Sequence, residues 1–198
     1  MSHTTQPPIV FLCGKRIVLR PVAESDIPYF LRWINDPEVG QFMNWIFPIT
    51  EASEKKWYDS LDERKETDIV LTIMLNSTPI GIIGIHDINW KDRRATTGAL
   101  LGEKTLWSQG YGTETKMILL DYIFNTLNLR KICSSVIGFN GRSKRYSEKC
   151  GYKVEAILKD HIFAKGKYWD EIQLAVFRDE WLTLWEETKN DFLPETHV

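Results

Sequence analysis

At 198 residues, with 43% hydrophobic and 26% charged side chains, 12 Gly and 8 Pro, the chain has the make-up of one globular domain burying roughly 70% of its unfolded surface, which argues against disorder, collagen and a disulfide scaffold. Twenty-five basic against 27 acidic residues leave a net charge of -2, too little positive field to hold a polyanion, so nucleic acid is excluded as the main partner. Three cysteines in no ligand spacing (Cys13, Cys133, Cys150), no signal-like N-terminus and no apolar run near the roughly 20 residues that span a bilayer predict a cytoplasmic protein with no structural metal and no membrane partner.

In chain order, residues 1–15 read as a loose arm and Ile17 to Arg20 as a short strand ended by Pro21. Ile27, Phe30, Leu31 and Ile34 mark an amphipathic helix that Asn35-Asp36-Pro37 stops. Gly40 to Pro48 packs Phe42, Met43, Trp45, Ile46 and Phe47 without a period, which predicts a loop with a buried or ligand-facing aromatic side. Thr50 caps a second helix to about Arg64. Ile69 to Leu75 and Ile80 to Ile88 form a hairpin about Asn76 to Pro79, and Ala95 to Leu101 extends the meander.

The pattern then changes. Thr113 to about Leu127 is a helix with Met117, Leu120, Ile123, Phe124 and Leu127 on its stripe. Lys131 to Ile137 is strand, Arg142 to Lys149 helix and Tyr152 to Leu158 strand, an order that implies parallel or crossover pairing. A last strand, Ile172 to Phe177, follows the turn Lys165-Gly166-Lys167, and a Trp-rich helix lies near Glu180 to Glu187. No repeat or linker interrupts this, so one α/β domain covers the chain, with an arm at 1–15, a core at 16–182 and an extension at 183–198.

Two stretches carry chemistry. Trp107-Ser108-Gln109-Gly110-Tyr111-Gly112-Thr113 leads from a strand into a helix, where free N–H groups and the helix dipole suit a pyrophosphate. The alternative is a glycine turn with a Thr cap. No Walker loop occurs, and Thr115 stands where a dinucleotide fingerprint needs its third glycine, which disfavours a dinucleotide-binding oxidoreductase. The second stretch, Asn140-Gly141-Arg142-Ser143 through Glu148-Lys149-Cys150-Gly151-Tyr152, opens and closes a short helix between strands.

Gln-Gly-Tyr-Gly-Thr opening one helix, then Asn-x-x-Ser opening another that ends Glu-Lys-x-Gly-Tyr, resembles the GNAT superfamily of acetyl-CoA-dependent N-acetyltransferases. Leu19-Arg20-Pro21 with Asp26, Trp33 to Val39, and Lys159-Asp160-His161 with Gly166-Lys167-Tyr168 resemble its RimJ/RimL-type branch, and the likeness runs from about 16 to 182. The resemblance implies a twisted, mostly antiparallel sheet of about seven strands flanked by helices, with a parallel pair at the cofactor site. It also implies acetyl-CoA as cofactor, its pyrophosphate on the backbone of Gln109, Gly110, Tyr111, Gly112 and Thr113. The strand Ala99 to Gly102 would pair with the pantetheine arm, and the N–H of Leu100 or Leu101 would polarise the thioester carbonyl.

Asn140 and Ser143 would contact the cofactor, with Arg142, Lys144 and Arg145 near its nucleotide end; the alternatives are a turn, a helix cap and a solvated face. Many members carry a Tyr where Ser147 stands, with Tyr146 adjacent, so Ser147 is the candidate hydrogen-bond donor to the departing thiolate. His86 and Asp87 are the candidate bases, of which strand alternation lets one face the site. Cys133 and Cys150 read as packing. His161, Phe163, Tyr168, Trp169, Trp33, Phe42, Trp45 and Trp90 are candidates to wall the acceptor pocket, two or three of them lining it. The expected activity is direct acetyl transfer to a primary amine, with a protein N-terminus, an amino sugar and a polyamine all open as acceptor and a homodimer compatible with the chain. A non-catalytic acyl-CoA-binding regulatory module is the alternative.

Overall fold

A computed structural model describes residues 9–43 and 45–195. Eight strands form one sheet: β1 (Leu12–Cys13), β2 (Ile17–Pro21), β3 (Ile69–Leu75), β4 (Thr78–Asn89), β5 (Arg94–Leu101), β6 (Lys131–Ile137), β7 (Lys153–Ala164) and β8 (Lys167–Phe177). Their spatial order is β1-β2-β3-β4-β5-β6-β8-β7, and every neighbouring pair is antiparallel except β5–β6. The helices are α1 (Ile27–Ile34), α2 (Pro37–Gly40), α3 (Glu51–Asp59), α4 (Tyr111–Asp121), α5 (Gly141–Lys149) and α6 (Arg178–Phe192). No helix among the described residues is long and apolar enough to cross a membrane.

Local chemistry explains most of these bounds. The turns Asn76-Ser77 and Lys165-Gly166 hold φ of 47°, 67°, 53° and 76°, the left-handed pair that a two-residue hairpin needs to match strand twist. Thr50 caps α3 by accepting from the Ser53 N–H at 3.2 Å, and Asp36 caps α2 through Glu38 N–H at 2.8 Å. At the start of α1, Arg20 grips Asp26 with both guanidinium nitrogens (2.6 and 2.7 Å), and Thr72 Oγ1 adds a bond at 2.7 Å. Burial pushes the Asp26 carboxyl up, but these bonds and the Ala23 N–H outweigh it and hold it below the usual carboxylate range.

Period-2 alternation gives the sheet two apolar faces. Ile83 and Ile85 of β4 face one way, onto Met117, Leu120, Phe124 and Trp181 from α4, its continuation and α6. Each such side chain contributes about 1.5–3 kcal/mol by leaving water. Ile82 and Leu100 face the other way, onto Phe30 and Trp33 of α1 and Val39 of α2.

Several elements differ from the sequence expectation. Residues 1–8 of the expected arm lie outside the described residues, but Leu12–Cys13 pairs with Val18 and Leu19, so residues 12–13 are an edge strand and the sheet gains an eighth member. The expected boundary at 182/183 falls inside α6, which runs unbroken from Arg178 to Phe192; residues 196–198 lie outside the described residues. The helix after the glycine loop starts at Tyr111 and passes into a π-turn at Tyr122–Thr126. The aromatic segment before Pro48 turns outward: Trp45, Ile46 and Phe47 are 52%, 84% and 76% exposed. β8 lies between β6 and β7, which makes the expected crossover one strand wide.

Candidate active site

β5 and β6 are parallel and pair only from Arg94–Lys131 to Thr96–Cys133. Beyond Thr96 they diverge, and Ser134 Oγ bridges the apex by donating to Thr97 O at 3.2 Å. On the β4 side, Gly102 N–H donates to Ile80 O at 2.9 Å. Alternation along an antiparallel pair then ties Leu100 and Gly98 to β4 and turns the N–H groups of Ala99 and Leu101 toward the open wedge. Of the two expected carbonyl-polarising groups, Leu101 therefore faces the wedge and Leu100 does not. Trp107 Nε1 donates to Leu101 O at 2.7 Å and holds that carbonyl. Gly102 is a packing residue, since the Trp33 ring lies where its Cβ would stand.

At the wide end of the wedge the chain turns into α4. Gly110, at φ 88°, is its N-cap, and no side chain caps the helix, so Thr113 sits inside the first turn and the Thr cap weighed as the alternative is not formed. Uncapped N–H groups at Tyr111, Gly112 and Thr113 carry the positive end of the helix dipole. A Cβ on Gly112 would meet nothing within 4 Å, so its backbone borders open space. Gln109 is held twice, its Nε2 donating to Thr105 O at 2.6 Å and its carbonyl accepting from Arg16 Nη1 at 3.1 Å. Arg16 also lies 4.4 Å from the Tyr111 ring centroid and donates to the buried Glu114 at 2.6 Å. The role of Arg16 was not read from the sequence, since it acts across 93 residues.

Across the wedge, Asn140 Oδ1 accepts from the Ser143 N–H at 3.1 Å, so Asn140 is the cap of α5 and Ser143 lies within its first turn. Ser147, on the inward side of α5, is 1% exposed, and its Oγ has no hydrogen-bond partner among the described residues. Nearby, Lys116 of α4 is fully buried and donates to Thr97 Oγ1 at 2.8 Å, which itself shares a hydrogen bond with Tyr152 Oη at 2.8 Å. Its ammonium lies 5.6 Å from the Tyr146 ring centroid and 5.4 Å from that of Tyr152. With no carboxylate beside it among the described residues, burial lowers Lys116 to about 8. Burial likewise raises Tyr146, and lifts the Cys150 thiol to about 12, in keeping with a packing role for Cys150. Sequence reasoning missed Lys116, although a lysine four residues before Leu120 on an apolar stripe is a signal.

On the opposite face of the sheet, the His86 ring occupies the space a Cβ on Gly84 would take and comes within 3.9 Å of one on Gly98. His86 Nδ1 is 2.7 Å from Asp68 Oδ1. Donation of the Nδ1 proton to that carboxylate leaves the Nε2 lone pair free, toward the β5 residue just past the wedge apex. Asp68 is a second partner the sequence did not reveal. Asp87 differs: it is exposed, sits at φ 53° in an irregularity between His86 and Asn89, and the structure does not bring it to the wedge. That irregularity breaks the alternation expected to choose between the two.

Trp107, Phe42, Phe139 and Trp169 make, in that order, a continuous aromatic wall at the wide end, with successive centroids 6.4, 5.9 and 5.0 Å apart. Of the eight expected pocket residues, Phe42 and Trp169 reach this wall; Trp33 is buried, and Trp45, Trp90, His161, Phe163 and Tyr168 are exposed elsewhere. Strand edge, uncapped helix start and the space over Gly112 suit an extended ligand with an amide-bearing arm and a pyrophosphate, as in acetyl-CoA. The described residues hold no group of three or more His, Cys, Asp or Glu able to bind a metal ion.

The family model described as an acetyltransferase (GNAT) domain matches residues 16–153. The chain is 27% identical to an uncharacterized N-acetyltransferase, p20, of Bacillus licheniformis, over 86% of this chain and 97% of that one. It is 22% identical to spermidine N(1)-acetyltransferase of Escherichia coli K12, over 84% and 88%. Its fold superposes on spermidine N-acetyltransferase from Vibrio cholerae, solved with CoA and spermine, with a TM-score of 0.78 at 20% identity, covering 84% of this chain and 98% of that one.

Proposed function

The chain belongs to the GNAT acetyltransferase family, and on that premise we propose that it moves the acetyl group of acetyl-CoA directly to the primary amine of a small molecule in a ternary complex. The observation that carries this reading is the unpaired edge Ala99–Leu101 beside the uncapped start of α4. Leu19-Arg20-Pro21 with Asp26 and the Trp33 to Val39 segment support the RimJ/RimL-like branch, and the three free cysteines support work in the cytoplasm.

When bound, acetyl-CoA supplies an activated carbonyl carbon and a thiolate leaving group. Gly110, Tyr111, Gly112 and Thr113 hold its pyrophosphate by backbone N–H groups, with Gln109 positioned for them by Arg16; Asn140 and Ser143 lie across the wedge. Of the N–H groups of Ala99 and Leu101, which lie about 6.5–7 Å apart on the strand edge, one would donate to the carbonyl oxygen as charge develops on it and the other to the pantetheine arm. His86 Nε2 takes the amine's proton, while Asp68 accepts the Nδ1–H and fixes the ring's orientation and tautomer. Ser147 Oγ–H donates to the departing sulfur from the opposite face. Asp87 has no part in this arrangement.

Alkylamines lose their proton near roughly pH 10, so a base matters most at neutral pH. His86→Gln is expected to cut kcat about 100-fold or more at pH 7, the loss shrinking toward pH 10, and Asp68→Asn to do the same more weakly. Ser147→Ala is expected to cost about 10-fold to 100-fold with little change in acetyl-CoA affinity. The measurement is a pH–rate profile with the best amine of a panel. Losses independent of pH remove His86 as base, and acetyl-CoA binding without turnover of any amine favours the regulatory module.

A further inference from the structure

Three cations stand on the aromatic wall. The Arg142 guanidinium is 3.7 Å from the Trp107 centroid and 5.3 Å from that of Phe42. Lys165 Nζ is 4.4 Å from Phe139, and Lys167 Nζ 3.8 Å from Trp169. None of the three forms an ion pair among the described residues. Most nearby carboxylates, by contrast, are engaged: Asp36 and Glu38 with Lys104, Glu103 with Arg32 and Trp33 Nε1, Asp170 with Lys159, while Glu171, on the Trp169 face of β8, has the His161 ring at 3.5 Å. Lys104 in turn lowers Asp36 below the usual range, so that carboxylate is charged and neutralised in place.

A polycation approaching this wall meets ring faces already covered by cations, and carboxylates that are mostly already paired. An anion meets three charges with spare donors and flat apolar surface beneath them. We infer that the acceptor is a small primary amine that carries an anionic group on a flat or apolar body, and not a polyamine. This rests on the acetyl-transfer reading above and deepens it. The acceptor's acid lies among Arg142, Lys165 and Lys167, and its amine extends along the same face of the sheet toward His86 Nε2. The reaction balances simply: the amine nitrogen bonds the acetyl carbon, the C–S bond breaks with its electrons on sulfur, and one amine proton leaves through His86.

The test pairs isosteres. 4-(Aminomethyl)benzoate, 4-(aminomethyl)phenyl phosphate, uncharged 4-methylbenzylamine and spermidine are compared by kcat/KM, at low and high salt. One or both acid-bearing amines are expected to exceed the uncharged one by about 10-fold or more, with the advantage falling as salt screens it and spermidine last; which acid leads separates a carboxylate from a phosphate acceptor. Lys165 and Lys167 are exposed at a hairpin turn, so K165E/K167E is expected to keep the fold, which its circular dichroism and Tm check. It is expected to reverse the order in favour of spermidine while the KM for acetyl-CoA stays unchanged. Spermidine leading in the wild type overturns the inference. So does a charge reversal that alters acetyl-CoA KM and leaves acceptor order alone, since the cations then serve the cofactor's phosphates. Should no amine be turned over, the acetyl-transfer reading fails, and calorimetric binding of the benzoate and methylbenzylamine pair still decides the wall: equal affinity sinks it.

Discussion

Among the described residues Lys116 has one hydrogen-bond partner, Thr97 Oγ1, and no carboxylate to offset its burial. A lysine at about 8 in the folded chain and near 10.5 unfolded makes the unfolded state bind more protons between those values. Stability therefore rises with pH across that window, and below it the full cost of about 3 kcal/mol is present. Lys116→Met is expected to stabilise the protein at pH 7 by about 1–3 kcal/mol, the gain vanishing above pH 10, because Thr97 keeps Tyr152 as partner. Urea denaturation at pH 7 and 10.5 measures both; a variant less stable at both pH values contradicts the account. Gly112 tests the cradle in the same way. Nothing meets a Cβ there and its φ is not positive, so Gly112→Val is expected to fold normally yet lose acetyl-CoA affinity by calorimetry. The glycine was legible from its motif; Asp68 was not, because nothing in a sequence marks which of 27 acidic residues will meet His86.

At the scale of elements, α4 is aimed by its own first turn. Buried Glu114 accepts from Arg16 N–H and Nε at 2.6 Å each and from Ile17 N–H at 3.3 Å, which fastens β2 to the helix start. Glu114→Gln keeps the shape but sets an amide against at least one of these donors, at a cost of about 2–4 kcal/mol. Because Arg16 also holds Gln109 O, the variant is expected to lose acetyl-CoA affinity as well as Tm, whereas an intact affinity in a destabilised protein would separate anchor from site. Elements with long, clean periods were legible: α1 from Ile27, Phe30 and Ile34, and β3 to β5 from their alternation. Those of two to four residues, β1 and α2, carry too few positions to show a period. The outward turn of Trp45 to Phe47 was unreadable because apolar character alone does not say which side of a loop meets water.

The whole sheet is two half-sheets, β1–β5 and β6–β8, joined at a seam of three residue pairs and by the helices across it. The family resemblance implied a parallel pair at the cofactor site, but not how short it is, since register between distant strands depends on packing that alternation does not encode. A ligand in the wedge that pairs with Ala99–Leu101 and reaches Asn140 touches both halves, so its binding is expected to act on the molecule and not on one loop. At 100 times its dissociation constant acetyl-CoA adds about 2.7 kcal/mol to stability. For a chain of this size that corresponds to a rise in Tm of about 5–10 °C, with NAD and ATP giving much less. Hydrogen exchange locates the effect: amides of 99–101 and 109–113 on one side and 134–140 on the other should slow together. Protection confined to one side would mean that the ligand sits on the glycine loop alone, and the wedge would then lose its place in the transfer reaction.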